Sequence, residues 1–142
     1  MNKERQKYKL EIMGLFGGLF GGGSTEKKEK KVLPWIPLTS VSQLKAIEQK
    51  SKKKTQVIFK HSTTCGISRM VINMFVESYA MTEDQMDLYY LDLHAHRDVS
   101  NETGYTFQVM HQSPQLLVIK NGTAVCHASH GAISDVALDK YL

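Results

Sequence analysis

Cys65 is the residue of this chain best placed to do chemistry, and the stretch around it reads Val57-Ile58-Phe59-Lys60-His61-Ser62-Thr63-Thr64-Cys65-Gly66-Ile67-Ser68. A short β-rich apolar run is followed by a polar turn and then by the cysteine. Beyond it, Ile67, Met70, Val71, Met74, Phe75 and Ser78 recur at the spacing of one helical face. The pattern predicts a strand buried on both faces that delivers a thiol to the first turn of a helix ending near Ser78. Unpaired backbone N–H groups and the positive end of the helix dipole favour a thiolate there, and Lys60, His61 and Arg69 are basic residues expected to add to the effect. Because the thiolate is the nucleophile, the arrangement predicts reactivity near neutral pH. The other cysteine, Cys126, reads as a small buried thiol in mid-strand, on one face with Ala124 and Ala128.

The elements that must position Cys65 can be read on either side of it. Pro34 to Leu38 is an extended stretch, because prolines disfavour helix in themselves and in the residues before them. Ser40 with Gln43 three residues on forms a capping box for a first helix ending near Ser51. A lysine-rich turn then enters the Val57 strand at the end remote from Cys65. Leu88 to Leu93 reads as a second buried strand, and Asp98 to about Thr106 as a helix weakened by Gly104. Leu116 to Ile119 is a third strand, Asn121-Gly122 a hairpin signal, and Ala124 to Ala128 the returning strand. Ser134 is expected to cap a last helix with Ala137, Leu138, Tyr141 and Leu142 on its apolar side. The order implies an α/β mixed sheet, with parallel strands, a C-terminal antiparallel hairpin and helices on both faces.

With 142 residues and 23% charged side chains, the chain has room for one ordinary globular domain. Its boundary is expected near Val32, with a domain over residues 32–142 and a flexible glycine- and lysine-rich segment over residues 1–31. That segment contains Leu-Phe-Gly-Gly twice, at Leu15–Gly18 and Leu19–Gly22, which read as disordered or as a docking element, and Met13 offers an alternative start. The glycines and Glu11 leave no continuous apolar region for a signal peptide, and no transmembrane segment is expected. The lysine clusters carry no interleaved aromatics, which argues against nucleic acid as a partner. Only two cysteines occur, too few for a disulfide framework, so a reducing, cytoplasmic location is expected. His94 and His96 end a strand without the converging ligands of a metal centre, and no metal is expected there.

A strand-turn-Cys-helix unit followed about 50 residues later by a proline before a strand and hairpin resembles the thioredoxin fold from about residue 33 to 142. The resemblance implies a cis-proline at Pro114 facing Cys65, Ser113 before it pairing with the substrate backbone, and His130 near the cysteine. Within that fold, Pro34-Trp35-Ile36-Pro37-Leu38-Thr39-Ser40, His61-Ser62-Thr63-Thr64-Cys65, Ser113-Pro114-Gln115 and Ala128-Ser129-His130 resemble the monothiol bacilliredoxins of the bacillithiol system. That family commonly has Thr-Cys-Pro-Ile-Ser, whereas position 66 here is Gly. Cys65-Gly66-Ile67-Ser68 thereby also resembles the Cys-Gly-Phe-Ser signature of monothiol glutaredoxins, although their Gly-Gly-Cys-Asp glutathione loop is missing after the hairpin.

The resemblance implies a thiol-disulfide oxidoreductase. Ser68 stands where dithiol relatives carry the resolving cysteine, and a serine cannot close a disulfide. Cys65 is then expected to attack the mixed disulfide of an S-thiolated client protein, carry away the low-molecular-weight thiol, and yield it to a second thiol molecule. Bacillithiol is the co-substrate implied, with no bound cofactor. Thr64, Gly66, Ile67 and Ser68 are expected to form the rim, with Ser68 or backbone N–H groups bonding the thiolate. A cluster carrier using Cys65 with an external thiol and a thioredoxin-like interaction module are the competing readings.

Overall fold

The computed structural model describes residues 30–142; the Leu-Phe-Gly-Gly repeats lie outside them. Five strands form one sheet: β1 (Trp35–Pro37), β2 (Thr55–His61), β3 (Met86–Asp92), β4 (Gln115–Lys120) and β5 (Thr123–Ser129). Three α-helices lie between them, α1 (Ser42–Lys50), α2 (Gly66–Ser78) and α3 (Arg97–Phe107). The spatial order is β1-β3-β2-β4-β5, with β3 parallel to β1 and β2, and β4 antiparallel to both β2 and β5. This is the mixed sheet the element order implied.

Alternation along β2 divides the core in two. Val57 and Phe59 face α2 and pack with Trp35, Val71, Ile72, Phe75 and Tyr90, while Ile58 faces α1 and α3 with Leu44, Ile47, Val99 and Phe107. Trp35 meets Phe59 edge-on at 6.1 Å and Tyr90 at 5.6 Å, and Phe59 lies 5.2 Å from Phe75. These aromatic contacts fix the strand that carries the thiol loop to the helix that follows it.

Four local expectations are corrected. The core face of α2 is Ser68, Val71, Ile72 and Phe75, which leaves Ile67, Met70 and Met74 exposed. The helix carries two apolar faces, and the sheet takes the one that leaves the turn at Cys65 open to solvent. At the start of α1, Gln43 Oε1 accepts from the Ser40 N–H at 3.0 Å, as a capping box requires. The reciprocal half is absent, because the Ser40 hydroxyl also turns to Gln43 Oε1, and no side chain caps the helix start at Val41.

In β5 the register shifts between Val118 and Ile119, so that Cys126 faces Val118 while Ala124 faces Ile119. Val125 is the extra residue of the resulting bulge. Cys126 and Ala128 therefore pack on the α2 side and Ala124 on the other, not all on one face.

The last expected helix is instead two 3-10 helices, His130–Asp135 and Leu138–Tyr141, joined by extended backbone at Val136 and Ala137. Ile133 and Leu138 are both buried in the α2-side core. Five residues apart, they would lie about 140° apart on an α-helix, so the chain must break to bury both. Ser134 falls inside the first 3-10 helix and caps nothing.

Gly104 has a structural reason. A Cβ there would stand 2.9 Å from the Val109 carbonyl oxygen, at the point where the chain folds back after α3. Gly104→Ala is expected to lower stability by about 1–2 kcal/mol in denaturant unfolding, although alanine is the better helix former.

Candidate active site

The thiol loop leaves β2 at His61 and enters α2 at Gly66. Cys65 is the N-cap residue of that helix, with extended backbone at φ −105° and ψ 123°, and its side chain is half-buried. The Cys65 N–H donates to the Ser62 carbonyl at 3.3 Å, and the Cys65 carbonyl accepts the Arg69 N–H at 3.1 Å, which closes the first helical turn. The thiol thus stands at the end of the helix where backbone N–H groups lack intrahelical acceptors.

Two side chains hold the turn, and the sequence pointed to neither role. Ser68 is fully buried beneath the loop, where its hydroxyl accepts the Ser62 N–H at 3.0 Å and lies 2.8 Å from His61 Nδ1. His94, at the end of the neighbouring strand, brings Nε2 to 2.8 Å from Ser62 Oγ and 3.1 Å from Thr64 Oγ1. Asp92 fixes the His94 segment by accepting the His94 and Ala95 N–H groups at 3.0 and 3.2 Å. Thr64, Gly66 and Ile67 are exposed around Cys65, as a rim would be. Ser68 is not on that rim, since its hydroxyl is spent inside the loop. The sequence places His94 at the end of a strand and assigns it no role in the turn. The available signal was topological: parallel strands end at the same edge of a sheet, so residues just past β3 lie beside the loop that follows β2.

The electrostatics differ from the sequence expectation in two of its three basic residues. Burial pushes the His61 imidazole down to about 4, with the Arg69 and His94 charges acting in the same direction and Asp92 against them. His61 is therefore neutral at physiological pH. Lys60 points to the opposite face of the sheet, where its ammonium donates to the Ser100 carbonyl at 3.0 Å and approaches His111 Nδ1 at 3.4 Å. Burial lowers Lys60 to about 8. Of the three, Arg69 on the first turns of α2 remains as the cation on the thiol's side.

The His61 shift has a consequence for stability. An unfolded chain binds a proton at this histidine below about 6.5, while the folded protein resists it down to about 4. Stability linked to His61 is thus fully present above about pH 6.5 and is lost as the pH falls toward 4, by roughly 3 kcal/mol in total. Denaturant unfolding of His61→Asn between pH 4 and 7 should show a shallower pH dependence than the parent protein.

The cis-proline implied by the resemblance is present: the Ser113–Pro114 bond is cis. Lys60 pairs with Gln115 across β2 and β4, so Pro114 lies at the end of the sheet from which the Cys65 loop departs. The Pro114 carbonyl accepts the N–H of His130, whose backbone is left-handed at φ 55°, at 3.0 Å. Ser113, Pro114 and His130 are thereby gathered at one edge with the thiol loop. The Ser113 hydroxyl is buried without a hydrogen-bond partner among the described residues.

Cys126 is elsewhere. It lies opposite Val118, which itself pairs with Val57 near the start of β2. The four residue steps from Val57 to His61 alone span about 13 Å of strand, and the Cys65 loop begins beyond them. Cys126 and Tyr141 of the C-terminal 3-10 helix pack against the same α2-side core.

Among the described residues, no three His, Cys, Asp or Glu side chains converge as a metal centre would require, and no helix is long and apolar enough to cross a membrane.

Comparison with known proteins gives the arrangement a context. Residues 36–138 match the family model described as monothiol bacilliredoxin BrxC. A solved structure described as a candidate oxidoreductase with a thioredoxin fold is 32% identical, covers 75% of this chain and 92% of its own, and superposes with a TM-score of 0.62. Thioredoxins from Malassezia sympodialis and Nicotiana alata share the fold at 22% and 24% identity, with TM-scores of 0.56 and 0.53. The Malassezia comparison covers 70% of this chain and 81% of that one, the Nicotiana comparison 83% and 94%.

Proposed function

The chain belongs to the monothiol bacilliredoxin family, and on that premise we propose that it removes a low-molecular-weight thiol of the bacillithiol type from protein mixed disulfides. The carrying observation is a single half-buried cysteine at the N-cap of α2, with a fully buried serine, already hydrogen-bonded, where a resolving thiol would stand.

The Cys65 thiolate attacks the small-thiol sulfur of a client's mixed disulfide. The client sulfur leaves as a thiolate and takes up a proton, and Cys65 is left joined to the small thiol. A second small-thiol molecule, as thiolate, attacks that adduct, forms the symmetrical small disulfide and returns Cys65 as thiolate. No net electron transfer to the protein occurs over the cycle. The backbone N–H groups at the start of α2 stabilise the thiolate in both steps. Ser68 and His94 act on the turn and not on sulfur: they hold Ser62 and Thr64, so the thiol keeps one position as its partners change. Thr64, Gly66 and Ile67 form the surface that the small thiol meets, and Ser113, Pro114 and His130, at the same end of the sheet, meet the client.

A model protein carrying either bacillithiol or glutathione in mixed disulfide tests this reading, with each thiol supplied free and its disulfide reduced by a coupled reductase. Faster release of bacillithiol is the expected result. Equal or faster release of glutathione would reject the assignment of the small thiol, and a coloured cluster on anaerobic reconstitution with iron and sulfide would favour the carrier reading.

A further inference from the structure

Lys60 is fully buried, and the chemistry of Cys65 does not use it. A buried ammonium is tolerated only where acceptors meet it. Here the acceptors come from two separate segments: the Ser100 carbonyl in α3 at 3.0 Å, and His111 Nδ1, in the loop ahead of Pro114, at 3.4 Å. An ammonium can only donate, so His111 has to present Nδ1 without a proton to take part. Gln115 stands directly opposite Lys60 across β2 and β4, and its amide nitrogen ties the same loop by donating to the Met110 carbonyl at 3.0 Å. Met110, His111 and Gln112 are exposed, so polar ties and not apolar packing hold this run.

On the reading above, in which Ser113 and Pro114 meet the client, we propose that Lys60 is a positioning residue for the client-binding segment, that it ties this segment to β2 and α3 through His111, and that protonation of His111 releases the tie. A protonated imidazole offers no acceptor at Nδ1 and sets a like charge beside the ammonium. The charged groups that act on His111 are both cations, Lys60 from β2 and Arg97 from the start of α3. Burial, and then these two charges, lower the His111 imidazole below its ordinary 6.5. The tie is therefore closed at neutral pH and opens as the pH falls below about 6.5. Lys60 faces away from α2, so the device governs how a client protein docks and not how the Cys65 thiol reacts.

The test compares the full chain with Lys60→Met, His111→Leu and His111→Asn at about pH 7.5 and about pH 5. The quantity read is the first-turnover rate on a bacillithiolated model protein divided by the rate at which iodoacetamide alkylates Cys65, a ratio in which the thiolate fraction cancels. In the parent this ratio should fall several-fold at the lower pH. His111→Asn keeps an acceptor but takes no proton, and should abolish the fall. Lys60→Met and His111→Leu should show the low ratio at both pH values; if Lys60→Met does not fold, the exposed His111 variants carry the test alone. The same fall in His111→Asn, or a parent-like ratio in His111→Leu, would overturn the proposal. Amide hydrogen exchange over residues 108–113 is read beside it and should be several-fold faster in His111→Leu than in His111→Asn at about pH 7.5. Equal exchange overturns the tie, and faster exchange with an unchanged ratio overturns its part in docking the client. A parent that releases no thiol from any client rejects the functional reading instead, and the exchange comparison then decides the tie by itself.

Discussion

Cys65→Ala is expected to reduce release of a small thiol from a protein mixed disulfide to the uncatalysed level, because no other described thiol can reach the same edge of the sheet. Cys126 packs against the core on the edge strand, opposite Val118 and remote from the loop after His61. Its replacement by alanine touches neither the turn nor Ser113, Pro114 and His130, so activity should stay within about twofold of the parent. Loss of activity in both variants, with both still folded by circular dichroism, would mean that the two thiols act together and that their separation in the fold misleads.

Ser68→Cys should have the second large effect. Residues 65 and 68 are the N-cap and the third residue of α2, one helical turn apart. A thiol at 68 can take the resolving role that serine refuses. The variant is expected to form an intramolecular disulfide under mild oxidant, seen as two thiols lost by titration, and to free the small thiol in its first cycle without added small thiol, further cycles needing an added dithiol that reduces the 65–68 disulfide. It should also be less stable by about 1–3 kcal/mol, because the serine hydroxyl satisfies the buried Ser62 N–H and faces His61 Nδ1. A folded variant that keeps all its thiols would place the two side chains on diverging sides of the helix start.

What could be read without coordinates divides along physical lines. Element order and the mixed sheet were legible, because the Val57 and Leu88 runs report burial on two faces and Asn121-Gly122 reports a hairpin. The phase of α2 was not, since isoleucine and methionine count as apolar whether they face the core or solvent, and only packing decides between two apolar faces. The bulge at Val125 was invisible for a related reason: one extra residue reverses every side chain beyond it, and alternation in Thr123–Ser129 is too weak to reveal it. The C-terminal helix failed because the need to bury both Ile133 and Leu138 outweighs local propensity. At the site, the thiol and the proline were readable as motifs. Ser68 as a buried brace and His94 as a clamp were not, because each depends on contacts between segments distant in sequence.

The stoichiometry of the first turnover tests the central claim most directly. The parent protein, fully reduced and freed of small thiols, is mixed with an excess of a bacillithiolated model protein, and the client thiol released per molecule is counted with the adduct on Cys65 followed by intact-mass spectrometry. A monothiol mechanism predicts a burst of one client thiol per protein molecule, a single bacillithiol adduct on Cys65, and no further release until free thiol is added. Release of free bacillithiol in step with the client thiol, with no lasting adduct on Cys65 and an intramolecular disulfide in its place, both lost on Cys126→Ala, would identify a resolving cysteine within the chain and contradict the mechanism.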